Sequence, residues 1–404
     1  MVLKRIKLRD FRNYGVQDIE LNSKFNFIYG NNGHGKTNIL EGISFVTFGK
    51  SFLGSPDQDC VKFGSEEFII DSVFENDLGN DYFVSLNYNS NTKKKTYQLN
   101  KEKVSRFSSE VFGKFPVVFF SPHSLNITYG NPSERRKFFD ILISQTSRVY
   151  LDYLKDLSRL LKQKNALLKN FQSERSYSER DFRYLLNSIN EGLIVVTIEV
   201  LIRRLNFINE FKSYFEKNFS NLLKTQDRPV IKYYSEILED TSLNIDDVLN
   251  IKRDEFAEKI NEYFKKRESE EISRGLSLIG PQRDDYIFSL EKHNNGEGIR
   301  EKEFELKNFA SQGEHKTFVI GLKLAEFYFI LDKLGSSPIL LLDDILSELD
   351  AERVFKIISH LKDFGQIILT SADTGYNEKF KDIFGAEEIS YIKVLNGEIT
   401  YEKS

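Results

Sequence analysis

The sequence predicts an α/β domain split by a mostly helical insertion, and three observations carry that expectation. Residues 25–29 form a short apolar run leading into a glycine-rich loop and then a stretch of helical periodicity. Residues 338–344, PILLLDD, read as a strand buried on both faces and ending in two acids. Between them, residues 133–219 are long, charged and helical in pattern.

Residues 25–42, FNFIYGNNGHGKTNILEG, contain G-x-x-x-x-G-K-[ST] as Gly30, Gly35, Lys36 and Thr37, in the strand–loop–helix context that the motif requires. Gly30, Asn31, Asn32, Gly33, His34, Gly35, Lys36, Thr37 and Asn38 are therefore candidate nucleotide-binding residues. Successive backbone N–H groups in such a loop wrap phosphates, and glycines admit positive φ and close approach of the ligand. Lys36 reaches toward the β/γ-phosphates of ATP, and the Thr37 hydroxyl is a ligand for Mg²⁺.

Residues 69–74, 82–88, 95–99 and 117–120 have strand character, with Asn-rich turns between the earlier ones. The character changes after Pro132. Leu151, Leu154, Leu157, Leu161, Leu168 and Phe171 recur at helical spacing, a polar break SERSYSERD follows, and residues 185–219 supply a second long helix. A strand at 229–234 and a helix at 254–266 close the region. Strand signals return at 285–290, 303–306, 339–342 and 366–370. The expected division is an N-terminal ATPase segment over 1–120, a helical arm over 121–279 and a C-terminal ATPase segment over 280–404.

A carboxylate at the C-terminal end of a buried parallel strand lies where open α/β sheets bind ligands. Asp343 is the expected Mg²⁺ ligand, and Asp344 the residue that orients the attacking water. Lys36, Asp343 and Asp344 are the catalytic candidates. Strand alternation is expected to aim the two acids differently. Downstream, ILSELDAERV suits a turn crossing a partner's site, although Asp350 also serves as a plain helix N-cap, worth about 1 kcal/mol. Ser311, Gln312 and Gly313, followed by Glu314, open another helix. Ser and Glu at this spacing make a capping box that needs no ligand, yet such a helix start also suits an anion.

The formal net charge is −4, so DNA contact requires local basic patches. Lys93, Lys94 and Lys95 at a hairpin, and Arg135 and Arg136 after a turn, are the DNA-binding candidates. Lys162, Lys164, Arg203, Arg204 and residues 265–267 are further basic sites, and solvated faces are the competing reading of all of them. Arg135 and Arg136 have a third reading, as a tie between arm and lobe. Cys60 is the only cysteine, which excludes a disulfide framework and a cysteine-rich zinc site. The N-terminus lacks a signal-peptide core, and the longest apolar run, 193–202, is too short for a bilayer. A cytoplasmic protein without membrane attachment is expected.

These motifs together resemble the RecF family of ABC-type, SMC-like ATPases. LRDFRNY (8–14), GNNGHGKTNILEGI (30–43), FSP (120–122), GNPSERRKFFD (130–140), YLDYLKDLSRLLKQKNALLK (150–169), GPQRDD (280–285), ASQGEHKT (310–317) and LLDDILSELD (341–350) carry the resemblance. It implies an ABC-type ATPase lobe with an inserted arm and an ATP-dependent homodimer, in which Ser311, Gln312 and Gly313 complete the partner's nucleotide site. It further implies binding to double-stranded, gapped DNA, weak DNA-dependent ATP hydrolysis that acts as a timer, and RecR and RecO as partners in RecA loading. The chain departs from the family pattern at His123-Ser124, at Gln282, in lacking tryptophan, and in ending a strand with SAD where transport ATPases carry a switch histidine. Two rival functions remain open: an ABC-type ATPase driving a partner nuclease, and a nucleotide-gated scaffold without DNA activity.

Overall fold

The computed structural model describes residues 1–173, 178–223, 227–292, 302–348, 351–362 and 365–402. The chain divides into two compact units. The first gathers Met1–Leu125, Asn221–Lys224 and Lys316–Ser404, and the second Asn126–Ser220 and Thr225–His315.

Two six-stranded sheets build the first unit. In one, the parallel strands Ile389–Leu395, Phe25–Tyr29, Ile367–Ser371, Ile339–Asp343 and Val117–Phe120 lie side by side in that order, and Glu398–Glu402 adds an antiparallel edge. The three central strands are buried at every residue, which explains their largely apolar sequences. In register, Asp343 lies beside Thr370, and Ser371 beside Tyr29. The loop after Phe25–Tyr29 and the acid at the end of Ile339–Asp343 therefore emerge at the same edge. The other sheet is antiparallel and alternates: in Glu67–Glu75, Phe68, Ile70, Ser72 and Phe74 are buried, and the residues between them are not. Phe11, Phe45 and Phe68 meet edge to face at 5.1–5.6 Å, joining this sheet to the helix Lys36–Phe48.

The second unit combines the helices Pro132–Thr146, Arg148–Ser173, Glu179–Leu223 and Arg253–Arg274 with a three-stranded antiparallel sheet. That sheet moves a boundary. The sequence assigns 280–404 to the ATPase lobe, but Asp285–Lys292 pairs along its length with Arg228–Tyr234, so residues up to His315 belong to the second unit. The first boundary falls after Leu125. The expected strand at 303–306 is present as Lys302–Glu305, and Leu306 instead opens a helical turn, Leu306–Phe309. By length and composition, the stretch Glu179–Ser220 passes for a membrane span, with mean hydropathy 1.7 in an 18-residue window. Half of that window is buried within the fold, as in the core helix of a soluble protein, which meets the same criterion.

Candidate nucleotide site

The phosphate-binding loop is held by close contacts at Gly30 and Gly35. Gly30 has φ 149°, and a Cβ there would lie 2.2 Å from the Val394 carbonyl oxygen. Gly35 has φ 112°, and a Cβ would meet the Asn13 amide at 2.6 Å. Both positions therefore need glycine for space as well as for backbone conformation. The Asn13 amide donates to the His34 carbonyl at 2.8 Å and accepts from Asn38 Nδ2 at 2.8 Å, while the Tyr14 hydroxyl donates to the Gly35 carbonyl at 2.9 Å. From the other side, the Gly397 N–H donates to the His34 carbonyl at 3.1 Å. Asn31, Asn32 and Gly33 stay exposed on the outer rim.

Lys36 folds over this loop. Its Nζ donates to the Gly30 carbonyl at 2.7 Å and the Asn31 carbonyl at 3.0 Å. Burial pushes its pKa down, and Asp344 and Asp343 pull it back up. The next residue, Thr37, donates its hydroxyl to Asp343 Oδ1 at 2.8 Å. Thr370, one strand away, donates to the same oxygen at 2.7 Å. Asp343 is nearly buried, and desolvation raises its pKa, against the lowering effect of the two hydroxyls. A desolvated carboxylate met by two hydroxyls, one of them from the phosphate-binding loop, is an oxygen donor set that fits a small hard dication.

Asp344 differs from its neighbour for a reason that strand alternation does not supply. The strand ends at Asp343, and Asp344 turns into the left-handed region with φ 46°, a conformation Asp tolerates better than most residues. Its N–H donates to the Thr370 carbonyl and hydroxyl oxygens, each at 3.1 Å. Its Oδ2 accepts from Ser347 at 3.1 Å. The expected N-cap Asp350 lies outside the described residues.

Ser311 and Glu314 form the capping box in full. The Ser311 N–H and hydroxyl donate to Glu314 Oε2 at 2.7 and 2.8 Å, and the Glu314 N–H returns a bond to Ser311 Oγ at 3.3 Å. Lys292 ion-pairs with Glu314 at 2.6 Å, which together with the Ser311 bonds lowers the Glu314 pKa to about 2. Ser311, Gln312 and Gly313 are all exposed at the start of the helix Gln312–Leu334.

The basic candidates separate. Lys93 and Lys94 are exposed. Lys95 is engaged: its Nζ donates to the Gly49 carbonyl at 2.7 Å and pairs with Asp57 at 2.8 Å, so it holds the fold and is not a free cation. Arg135 is buried and bidentate on Asp285 at 2.7 and 2.8 Å, and Arg136 donates to the Asp284 carbonyl at 2.5 Å. Both tie the helix Pro132–Thr146 to the strand beginning at Asp285, within the second unit, which removes Arg135 as a phosphate contact. Lys164 is buried against Glu271, and Arg204 is buried between Asp140 and Asp284.

Sequence reasoning assigned no role to Asn13, Tyr14 or Thr370, or to the hairpin of Ile389–Leu395 and Glu398–Glu402 that braces the loop. The hairpin had a signal: Asn396-Gly397, both at positive φ, is the dipeptide favoured in tight two-residue turns. Arg12 was missed as well. It is bidentate on the buried Glu41 of the P-loop helix at 2.6 and 2.7 Å, and Ser51 donates to the same carboxylate.

Comparison with known proteins agrees with this geometry. The family described as RecF/RecN/SMC N terminal domain matches residues 2–391. The chain is 35% identical over 375 residues to the DNA replication and repair protein RecF of Chloroherpeton thalassium, covering 92% of this chain and 95% of that one. It is 37% identical over 373 residues to the RecF of Chlorobium luteolum, covering 92% and 94%. A solved structure described as the recombination mediator protein RecF with ATP in the RecFOR pathway superposes with TM-score 0.84 at 27% identity, over 99% of this chain and 97% of that one. With the phosphate-binding loop, the acid-ended strand and the arm in the order that the motifs predict, the chain belongs to the RecF family of ABC-type ATPases.

Proposed function

We propose that the chain is an ATP-dependent DNA replication and repair protein, a recombination mediator of the RecFOR pathway. The observation that carries the reading is the convergence of Thr37 and Thr370 on Asp343 at the mouth of the phosphate-binding loop. Thr37 and Asp343 would hold Mg²⁺, which when bound neutralises phosphate charge. Residues 30–38 cradle the phosphates, Lys36 leaves its two carbonyl partners to meet them, and Asp344 orients water. The exposed Ser311, Gln312 and Gly313 complete the site of a second copy, so ATP drives dimerisation and hydrolysis is slow. The dimer binds duplex DNA at single-strand gaps through phosphates, with Lys93 and Lys94 as the contacts on the first unit, and works with RecO and RecR in the cytoplasm. Slow hydrolysis suits a switch better than a motor.

The test measures binding to gapped, blunt and single-stranded DNA with and without ATP, alongside light scattering. ATP-linked preference for the gapped duplex supports the mediator reading, and indifference to DNA replaces it with the scaffold. A Ser311→Arg protein should bind ATP and stay monomeric. Normal dimerisation of that variant would remove the shared-site model. Lys93→Ala/Lys94→Ala should weaken binding to all sequences alike and reduce the salt slope.

A further inference from the structure

The second unit holds a cavity that neither the nucleotide site nor the basic patches use. It lies between the helices Glu179–Leu223 and Arg253–Arg274 and has a volume of about 480 Å³, within the range of small-molecule sites. Helical spacing explains its walls. Asn190, Glu191 and Ile194 line one side, and Glu258, Phe264 and Glu268 the other, each set recurring on one face of its helix.

Two independent features give the cavity a chemical preference. The first is carboxylate density. Glu268 accepts from Arg183 at 3.3 Å, but Glu191 and Glu258 are exposed and have no cationic partner within the chain among the described residues. Lys265 is the ammonium among the lining residues, and it makes no ion pair with these carboxylates. The second is Asn190, which is 7% exposed and whose Oδ1 has no hydrogen-bond partner. A buried acceptor without a donor costs free energy until a ligand supplies one. Acceptors on the rim, an orphan acceptor at depth and apolar wall from Ile194 and Phe264 together describe a ligand with N–H donors at intervals along an alkyl chain. Phosphate and nucleic acid are repelled by the same carboxylates.

We propose that this cavity binds a linear aliphatic polyamine. The methylenes lie on Ile194 and Phe264, one nitrogen donates to Asn190 Oδ1, and the terminal ammonium groups pair with Glu191 and Glu258. The end contacts are charge-assisted hydrogen bonds at exposed carboxylates, and the contact to the buried Asn190 is the desolvated one. The site is separate in sequence from the phosphate-binding loop, so occupancy is read without nucleotide.

The experiment titrates spermidine into the full chain by calorimetry in the absence of ATP. The expected result is saturable one-to-one binding. Glu191→Gln/Glu258→Gln, which keeps shape and removes charge at exposed positions, should weaken it about tenfold, the order expected for two charge-assisted contacts. Asn190→Leu should weaken it less, and its circular dichroism reports whether the helix survives. Nucleotide affinity should be unchanged in both variants. Nα-acetyl-lysine methylamide, with a single ammonium on an alkyl stem, should bind more weakly than spermidine. Equal affinity for the two ligands overturns the polyamine assignment. Displacement of spermidine by MgCl₂ at matched ionic strength, or an unchanged affinity in the double Gln variant, shows diffuse counterion binding and overturns the site.

Discussion

Two carboxylate sites, one in each unit and each centred on a buried aspartate, are built on opposite plans. At the mouth of the phosphate-binding loop, Asp343 is met by the hydroxyls of Thr37 and Thr370, while the nearby Lys36 spends its hydrogen bonds on backbone carbonyls. In the second unit, Asp140 and Asp284 are met by a fully buried guanidinium: Arg204 is bidentate on Asp140 at 2.9 and 3.0 Å and reaches Asp284 at 3.4 Å. Tyr150 donates to Asp140 at 2.5 Å, and Tyr233 donates to Asp284. In the second cluster one guanidinium answers two carboxylates and two phenol hydroxyls complete the hydrogen bonding, so its side chains are already engaged with one another. The first has hydroxyl dipoles as its direct hydrogen-bond partners, with Lys36 acting on it only through space, so its charge remains available to a cation. A buried acid thus reads as structural or functional according to what neutralises it.

The largest expected effect breaks the compensated cluster. Arg204→Met leaves the buried Asp284 and the part-buried Asp140 without their cation and should cost about 3–5 kcal/mol. Urea denaturation followed by circular dichroism measures it. A loss under about 1 kcal/mol would mean that the two clusters do not differ as described.

The other plan predicts the reverse pattern of loss. Asp343→Asn removes a desolvated charge and keeps the shape, so stability should change by less than about 1 kcal/mol, while Mg²⁺-dependent affinity for ATP should fall at least about tenfold, the loss of one ionic ligand. Asp344→Asn should leave affinity within about threefold and prolong the ATP-bound dimer, because the Asp344 carboxylate is bonded to Ser347 whereas Thr37 donates to Asp343. Titration with a fluorescent ATP analogue, with Mg²⁺ and with EDTA, separates the two. Equal losses of affinity would contradict the division of roles.

The contrast also explains what the sequence made legible. Gly30 to Thr37 and the strand before Asp343 are local patterns, and the structure places them at one edge because the strands bearing them are two places apart in a parallel sheet. Thr370 was invisible since its role depends on strand order: Ile367–Ser371 lies between the loop-bearing strand and the Asp343 strand. The engagement of the basic residues was illegible for a related reason. Arg135 meets Asp285 150 positions away, and Arg204 meets Asp284 80 away, so nothing in either neighbourhood shows that the charge is already neutralised. Lys95 is the same case, paired 38 positions back with Asp57. The residues 280–315 looked like returning lobe because a strand's own sequence does not name its neighbour.

A smaller effect probes the scaffold around the first cluster. Tyr14→Phe removes one donor from the Gly35 carbonyl in a buried setting and should cost about 1 kcal/mol. Nucleotide affinity should fall only a few-fold, since Asn13 and Gly397 still hold the neighbouring His34 carbonyl. Thermal unfolding and the same ATP titration measure both. A loss of affinity as large as that of Asp343→Asn would show that the loop has no independent support.

The smallest effect sharpens the compensated cluster by its pH dependence. Burial raises the Asp284 pKa to about 6, with Arg204 and Tyr233 opposing the rise. An unfolded aspartate titrates near 3.9, so between these values the folded chain binds the proton more tightly than the unfolded one. This contribution to stability is full below the unfolded value and is lost as the pH rises through about 6. Protonation does not strand Arg204, which keeps its two bonds to Asp140. Asp284→Asn has no such titration. The stability of the parent relative to this variant should therefore grow by roughly 1 kcal/mol from pH 7 to pH 5. His315 acts in the opposite direction, because burial lowers its pKa and folding then loses stability as the pH falls. It is present in both proteins and cancels in the difference. A relative stability that stays flat, or moves toward the variant on acidification, would show that Asp284 is held ionised by Arg204 throughout this range and that the cluster is an ordinary ion pair.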